Sequence, residues 1–300
     1  MRLFRASQKP DTRLSLIVIT YNMRRELPRT LESLSQRMQR GISESDYEII
    51  VVDNGSRVPA DEAACRAIGS NIRILKAPDP TVSPAGAIAY GVLQARFPCI
   101  GIWIDGARMA SPGLLSLAQT ALALGPQTVA GTIGFHLGPK VQMESVHEGY
   151  DQAEEDRLLE RSGWREDGYR LFDISCLAGS SASGWFVLPQ ETNALFMHKR
   201  FFNELGGYDL RFQSPGGGLI NHDIWNRICA HEKTDLIMLL GEGTFHQVHG
   251  GVATNSLQSP WDGFVREYEE IRGRPYQRAE RDFRVFGTPR ALRRGTDPGA

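Results

Sequence analysis

The chain is poor in cysteine: Cys65, Cys99, Cys176 and Cys229 are far apart, and none belongs to a Cys-x-x-Cys pair. That spacing excludes a zinc ribbon or a disulfide framework and fits a reducing compartment. Charge of one sign is not in excess either. With 34 basic and 35 acidic residues the net charge is −1, so nothing points to bulk nucleic-acid binding. Long apolar runs are missing, since none approaches the ~20 residues of a membrane span. Met1 to Arg5 lacks the apolar stretch of a secretion signal. A soluble, cytoplasmic chain that binds no nucleic acid is the expectation. No Gly-x-Gly-x-x-Gly follows the first apolar run, which disfavours a dinucleotide-dependent oxidoreductase. Internal repeats and low-complexity tracts are absent as well.

What is present is an alternation of strand and helix signals, which predicts an α/β fold with a mostly parallel sheet flanked by helices. Leu14 to Ile19 is nearly all aliphatic, as a strand buried on both faces requires. Glu48 to Val52, Ile72 to Lys76, Ile100 to Ile104 and Val129 to Phe135 are further strand candidates. Between them, Leu27, Leu31, Leu34 and Met38 form one helical stripe, and Asp61 to Ile68 and Ala85 to Ala95 read as helices. Ser111-Pro112 predicts the cap and first turn of a helix running to about Leu124. The stretch from Val141 to Arg170 is dominated by acids, among them Glu144, Glu148, Glu154 and Glu155. It predicts a mobile loop and a short polar helix, either a solvated face or a lid over a site.

Order returns at Ala194 to Met197, and a helix from Lys199 to Leu205 stops at Gly206-Gly207. The glycine loop Pro215 to Gly218 precedes a helix capped by Asn221, and a strand from Asp235 to Leu240 leads into a loop over Thr244 to Gly251. Beyond Arg272 the chain reads as a loosely packed extension.

In an open parallel sheet, ligands bind outside the carboxyl ends of the strands. Thr20, Tyr21, Asn22, Asp53 and Asp105 all fall at such ends. An aspartate after a strand often caps a turn, and for Asp53 alone the two readings stand level. Three converging ends favour a site. Four stretches carry a family resemblance: LSLIVITYNMRRELPRTLESL, YEIIVVDNGS, CIGIWIDGARMASPGLL and NALFMHKRFFNELGGYDLRFQSPGGGLINHDIWNRI. Together they resemble family 2 glycosyltransferases of the GT-A fold, a Rossmann-like sheet with an acceptor-side C-terminal half.

The resemblance implies a domain over 1–271, with a nucleotide-binding half at about 12–135, an acceptor half at about 136–255, and an extension over 272–300. It implies an inverting transfer of a hexose from a nucleoside-diphosphate sugar, a UDP-sugar in particular, in the setting of polysaccharide biosynthesis. The acceptor would be a saccharide, lipid-linked or small-molecule hydroxyl, so peripheral association with a membrane stays open. Thr20 and Tyr21, with Asn22 beside them, would lie along the base, and Asp53 would accept from its ring N–H. Asp105, matching the first acid of Asp-x-Asp, would reach the ribose and a divalent cation, Mn²⁺ or Mg²⁺. Asp223, in the first turn of its helix where the positive helix end favours a carboxylate, would be the general base, with His222 near the acceptor.

Two departures weaken the phosphate end. Ala107 stands where the second acid belongs, and Pro84 to Ala89 lacks the usual Arg-Asn pair. Compensation falls to His246, His249 or Arg108. Trp185, Phe186 and Trp225 read either as core aromatics or as a wall for a sugar face, and Glu191-Thr192-Asn193 as partners of sugar hydroxyls. The competing readings are a degenerate GT-A domain that binds without turnover and a nucleotidyltransferase. The latter lacks its basic glycine loop at Thr20 to Met23.

Overall fold

The computed structural model describes residues 10–250 and 260–289. Met1 to Arg5, Gly251 and the end of the expected extension lie outside them. The first half follows the alternation read from the sequence: β1 (Leu14–Thr20), α1 (Glu26–Ser33), β2 (Tyr47–Asp53), α2 (Glu62–Arg66), β3 (Ile72–Lys76), α3 (Ala85–Gln94) and β4 (Cys99–Trp103). Then come β5 (Arg108–Ala110), α4 (Leu114–Leu122), β6 (Thr128–Leu137), α5 (Gln142–Ser145), α6 (Gln152–Ser162) and β7 (Ser175–Leu177). The rest comprises β8 (Leu195–His198), α7 (Lys199–Glu204), α8 (Ile220–Ala230), β9 (Asp235–His246), α9 (Trp261–Arg272) and β10 (Arg284–Gly287).

One mixed sheet, ordered β10-β9-β6-β8-β4-β1-β2-β3, organises the molecule, with β5 added to β9 and β7 to β6. Its pairs are parallel except at β8, which opposes both β4 and β6, and at the two additions. Alternate residues of β1 enter opposite apolar layers, Ile17 and Ile19 on one face and Leu14, Leu16 and Val18 on the other. Both faces are covered, which is why that run carries almost no polar residue. Among the described residues no helix is long and apolar enough to cross a membrane.

The structure corrects several expectations. α1 stops at Ser33, short of Met38. The Ser33 and Ser35 hydroxyls donate to the carbonyls of Thr30 and Glu32 at 2.7 Å each, a local bonding that competes with helix continuation. Ser111 does not cap α4, whose cap position is Gly113. Its hydroxyl instead donates to the buried Glu242 carboxylate at 2.5 Å, and that carboxylate also accepts from Gly113 N–H at the helix start.

The acidic stretch is solvated at Glu144, Glu148, Asp151 and Glu160 but docked through Glu155, which is buried. Arg25 of α1 donates to Gln152 O, Glu155 and Asp156, and Arg29 also reaches Asp156. β9 runs six residues past the expected end, to His246. Nor are residues 273–289 loose. β10 completes a sheet edge beside β9, and Arg281 donates to the carbonyls of Cys229, His231, Glu232 and Thr234 in the last turn of α8 and just beyond it.

Candidate active site

The longer β9 builds the centre of the site. β5 pairs with it antiparallel, setting Arg108 opposite His246, and Gln247 N–H donates to Ala107 O. This lays the loop after β4 against the end of β9. Asp105 is oriented within that loop by Ala107 N–H, which donates to Oδ1 at 2.8 Å. Its Oδ2 lies 2.9 Å from His246 Nε2 and 3.3 Å from His249 Nε2, and the two imidazole nitrogens are 3.0 Å apart. Among the described residues these three form the one group of His, Cys, Asp or Glu that could hold a metal ion.

Their electrostatics are mutual. Burial would raise the Asp105 carboxyl, but His249 and His246 outweigh it and hold it well below its ordinary value. Burial and Arg108 push His246 down to about 4 against the pull of Asp105. His249 goes up, because Asp105 outweighs its burial. Gln142 fixes the His246 ring. Its Nε2 donates to His246 O at 3.0 Å, leaving Oε1 to accept from Nδ1–H at 2.5 Å. Nε2 then carries the lone pair, the state a metal ligand needs. Gln142 was missed from sequence because it sits in the acidic stretch, without a motif of its own.

Arg108 flanks the cluster. Its Nε is 4.0 Å from Asp105 Oδ2, its side chain is 12% exposed, and its Nε and Nη1 are buried without a hydrogen-bond partner. Ala107 is not an open position. It is fully buried in the apolar layer that includes Leu27, Leu31, Trp103 and Ala110, so its methyl group belongs to the core.

The base-side residues gather at the neighbouring strand ends. Thr20 and Asp53 are register partners at the ends of β1 and β2. Tyr21 is 49% exposed, with its ring open to stacking. One Asp53 oxygen accepts from Ser56 N–H at 2.8 Å. Asn22 adopts a left-handed backbone (φ 55°), which asparagine tolerates better than most residues. Its Oδ1 accepts from Arg57 and Val58 N–H, so Asn22 stitches two loops together and its carbonyl is already engaged.

Asp223 is placed differently from its expected role. Asn221 does not cap α8, which begins at Ile220 after Leu219. The Asp223 side chain is 0% exposed. Arg272 donates to both its oxygens at 2.5 and 2.7 Å, and Arg227 donates at 2.9 Å. This buried carboxylate, held between two guanidinium groups, ties α8 to α9.

Glu191 is 20% exposed at its side chain and lies 3.9 Å from His222 Nε2. Asn221 Nδ2 donates to Glu191 at 3.0 Å, and Asn193 Nδ2 at 3.5 Å. Burial raises the Glu191 carboxyl, but His222, Arg108 and these amides outweigh it and hold it below the ordinary glutamate value. The aromatic wall does not form. Trp225 is core, donating to Pro189 O, Trp185 packs on Phe135 and Phe172, and Phe186 is 71% exposed.

Residues 15–179 match glycosyl transferase family 2. Over 141 residues the chain is 30% identical to the validoxylamine A glucosyltransferases of Streptomyces hygroscopicus subsp. limoneus and subsp. jinggangensis (strain 5008). Each match covers 46% of this chain and respectively 27% and 29% of those proteins, so the chain spans little more than a quarter of these curated relatives. Among solved structures it resembles S. aureus TarS 1-349 in complex with UDP, with a TM-score of 0.51 and 12% identity over 89% of this chain and 67% of that one. That likeness carries the fold, a GT-A sheet flanked by helices.

Proposed function

The chain belongs to glycosyl transferase family 2, and we propose that this glycosyltransferase moves a hexose from a UDP-sugar to a saccharide hydroxyl with inversion at the anomeric carbon. The observation that carries the reading is Arg108. Its buried Nε and Nη1 make no hydrogen bond among the described residues, with the Asp105 carboxylate 4.0 Å from Nε, a state that is costly unless a closer acceptor completes them. A diphosphate between Arg108 and the Asp105 loop would do so with charge-assisted hydrogen bonds. The nucleoside would then run toward Thr20, Tyr21 and Asp53 at the ends of β1 and β2. The UDP bound in S. aureus TarS supports the uridine, and the names of the curated relatives support a hexose.

Asp105, His246 and His249 would hold a divalent cation. The donor set fits. It offers a carboxylate oxygen and two imidazoles within 4.8 Å of one another, one of them oriented by Gln142. Two nitrogen donors favour Mn²⁺ over Mg²⁺, which prefers an all-oxygen shell. When bound, the cation supplies positive charge against the diphosphate leaving group. The chain's own contribution is to position. Arg108 is fixed by β5 and needs no reorganisation as charge develops on the leaving phosphate. Inversion follows from a single displacement, with the acceptor hydroxyl attacking opposite that phosphate.

The test compares UDP with uridine by calorimetry. Arg108→Ala is expected to weaken UDP at least tenfold while changing uridine affinity less than twofold. Equal losses for both ligands, or none for UDP, would remove Arg108 from the diphosphate site.

A further inference from the structure

The wall of aromatic rings expected for a sugar does not form at Trp185 and Trp225, yet an indole stands open elsewhere. Trp261, the first residue of α9, is 40% exposed, whereas Trp103, Trp164 and Trp225 are buried. We propose that Trp261 is the platform on which one pyranose ring of a saccharide acceptor stacks, an inference that rests on reading the chain as a hexosyltransferase. Single exposed apolar residues are common on protein surfaces, so exposure alone decides nothing. The way this ring is held, and what lies beside it, decide more.

Two other rings hold it. The centroids of His222 and Tyr276 lie 5.7 and 5.8 Å from that of the indole, at interplanar angles of 83° and 82°. His222 and Tyr276 in turn cross each other at 5.6 Å and 86°. Edge-to-face contacts of this kind fix orientation as well as bury area. A ring fixed before binding loses little freedom when a sugar lies on it.

The groups beside the indole suit the rim of a sugar. Tyr276 Oη is 2.9 Å from His222 Nδ1, and with its hydrogen given there, Nε2 is left as the donor. Nε2 stands 3.9 Å from Glu191 Oε2, too far for a hydrogen bond. One hydroxyl can bridge that gap, accepting from Nε2–H and donating to the carboxylate. A pyranose matches this pairing of an apolar face with a polar edge, because C–H groups cover its faces and hydroxyls its rim. A lipid chain would leave the edge unpaired. The location agrees. Arg108 and His222 both act on Glu191, and His222 packs on Trp261, so the indole lies at the other end of this row from the proposed leaving-group cation. The helix that carries it is fixed to the acceptor end, since Arg272 of α9 binds Asp223 of α8, the neighbour of His222.

The experiment uses the full chain with UDP-glucose as donor and the methyl pyranosides of glucose, galactose and mannose as acceptor probes. It reads tryptophan fluorescence, acceptor KM, kcat and UDP affinity. In the presence of UDP at least one pyranoside should change the fluorescence of wild type saturably, and Trp261→Phe should abolish that change. Glycerol, which has hydroxyls but no ring face, should produce none. Trp261→Ala should raise the acceptor KM about three- to tenfold, the size of one lost aromatic contact, with kcat and UDP affinity within about twofold of wild type. Trp261→Phe keeps a ring, and its acceptor KM should fall between the two. Thermal melts close to wild type guard against a folding defect. An unchanged acceptor KM in Trp261→Ala would overturn the proposal, as would UDP affinity falling in step with that KM. So would a fluorescence change that survives in Trp261→Phe, an equal response to glycerol, or no response to any pyranoside. Wild type that transfers no hexose from any UDP-sugar would instead sink the reading of the function, and the inference with it.

Discussion

Ala107 invites a simple repair, since an aspartate there would complete Asp-x-Asp. Its surroundings argue against it. The residue is fully buried in the apolar layer with Leu27, Leu31 and Trp103, so a new carboxylate would enter hydrocarbon without a partner, a placement that costs several kcal/mol or forces protonation. Ala107→Asp is therefore expected to lose about 3 kcal/mol of stability and gain no affinity for Mn²⁺, read by denaturant unfolding and by metal titration. Tighter Mn²⁺ binding would show that the loop can turn this side chain toward the histidines. Asp105 itself was legible because an apolar run delivers it to a strand end. The burial of its neighbour was not, because a small residue two positions after a strand-end aspartate fits either a bare ligand position or a core contact.

At the scale of elements, the acidic stretch shows how a polar helix becomes structural. Glu155 of α6 is buried, accepting from Arg25 at 3.0 Å and from Val248 N–H at 2.7 Å. It thereby ties α6 to the backbone beside His249. Burial outweighs these partners and pushes its pKa from 4.5 up to about 7. Between those values the folded chain keeps a proton that the unfolded chain has released, so stability from this group falls as pH rises through that window. Glu155→Gln cannot titrate. The stability of wild type relative to this variant should therefore be higher at pH 5 than at pH 8, measured by urea unfolding at both. A difference that stays flat, or grows with pH, would contradict the assignment.

Sequence could not reveal this packing, because Arg25 and Glu155 are separated by 130 positions and neither has a local signature. The end of β9 was hidden for another reason. Gly241 and Gly243 look like a break, yet Gly241 takes a positive φ of 79°, and a Cβ at Gly243 would lie 2.8 Å from the Phe135 ring. Here glycine marks a close approach between β9 and β6 inside the sheet, as it often does within strands. The central strands β1, β2 and β4 were legible because both their faces are buried, and a bare aliphatic run says so without ambiguity.

For the whole molecule, residues 273–289 close the sheet edge and pack against the end of α8. β10 extends the sheet beyond β9, while Tyr276 packs against Tyr268 and holds His222. Arg281 reaches four carbonyls in and just past the last turn of α8, from Cys229 to Thr234, where helix ends leave acceptors unsatisfied and a cation is favoured. The strand ends proposed for the nucleoside, those of β1, β2 and β4, lie across the sheet from this edge. The two halves should therefore respond separately to its loss. Arg281→Ala is expected to cost about 2 kcal/mol, in the range for hydrogen bonds to a charged group. It should leave UDP affinity within twofold of wild type, because no residue proposed to touch UDP rests on Arg281. Transfer should fall more than binding, since α8 carries His222 and Asp223, the residues expected at the acceptor end of the site. Calorimetry with UDP, thermal unfolding and a transfer assay on one preparation separate these effects. A loss of UDP affinity as large as the loss of transfer would mean that the tail supports the molecule as one unit rather than the acceptor side alone.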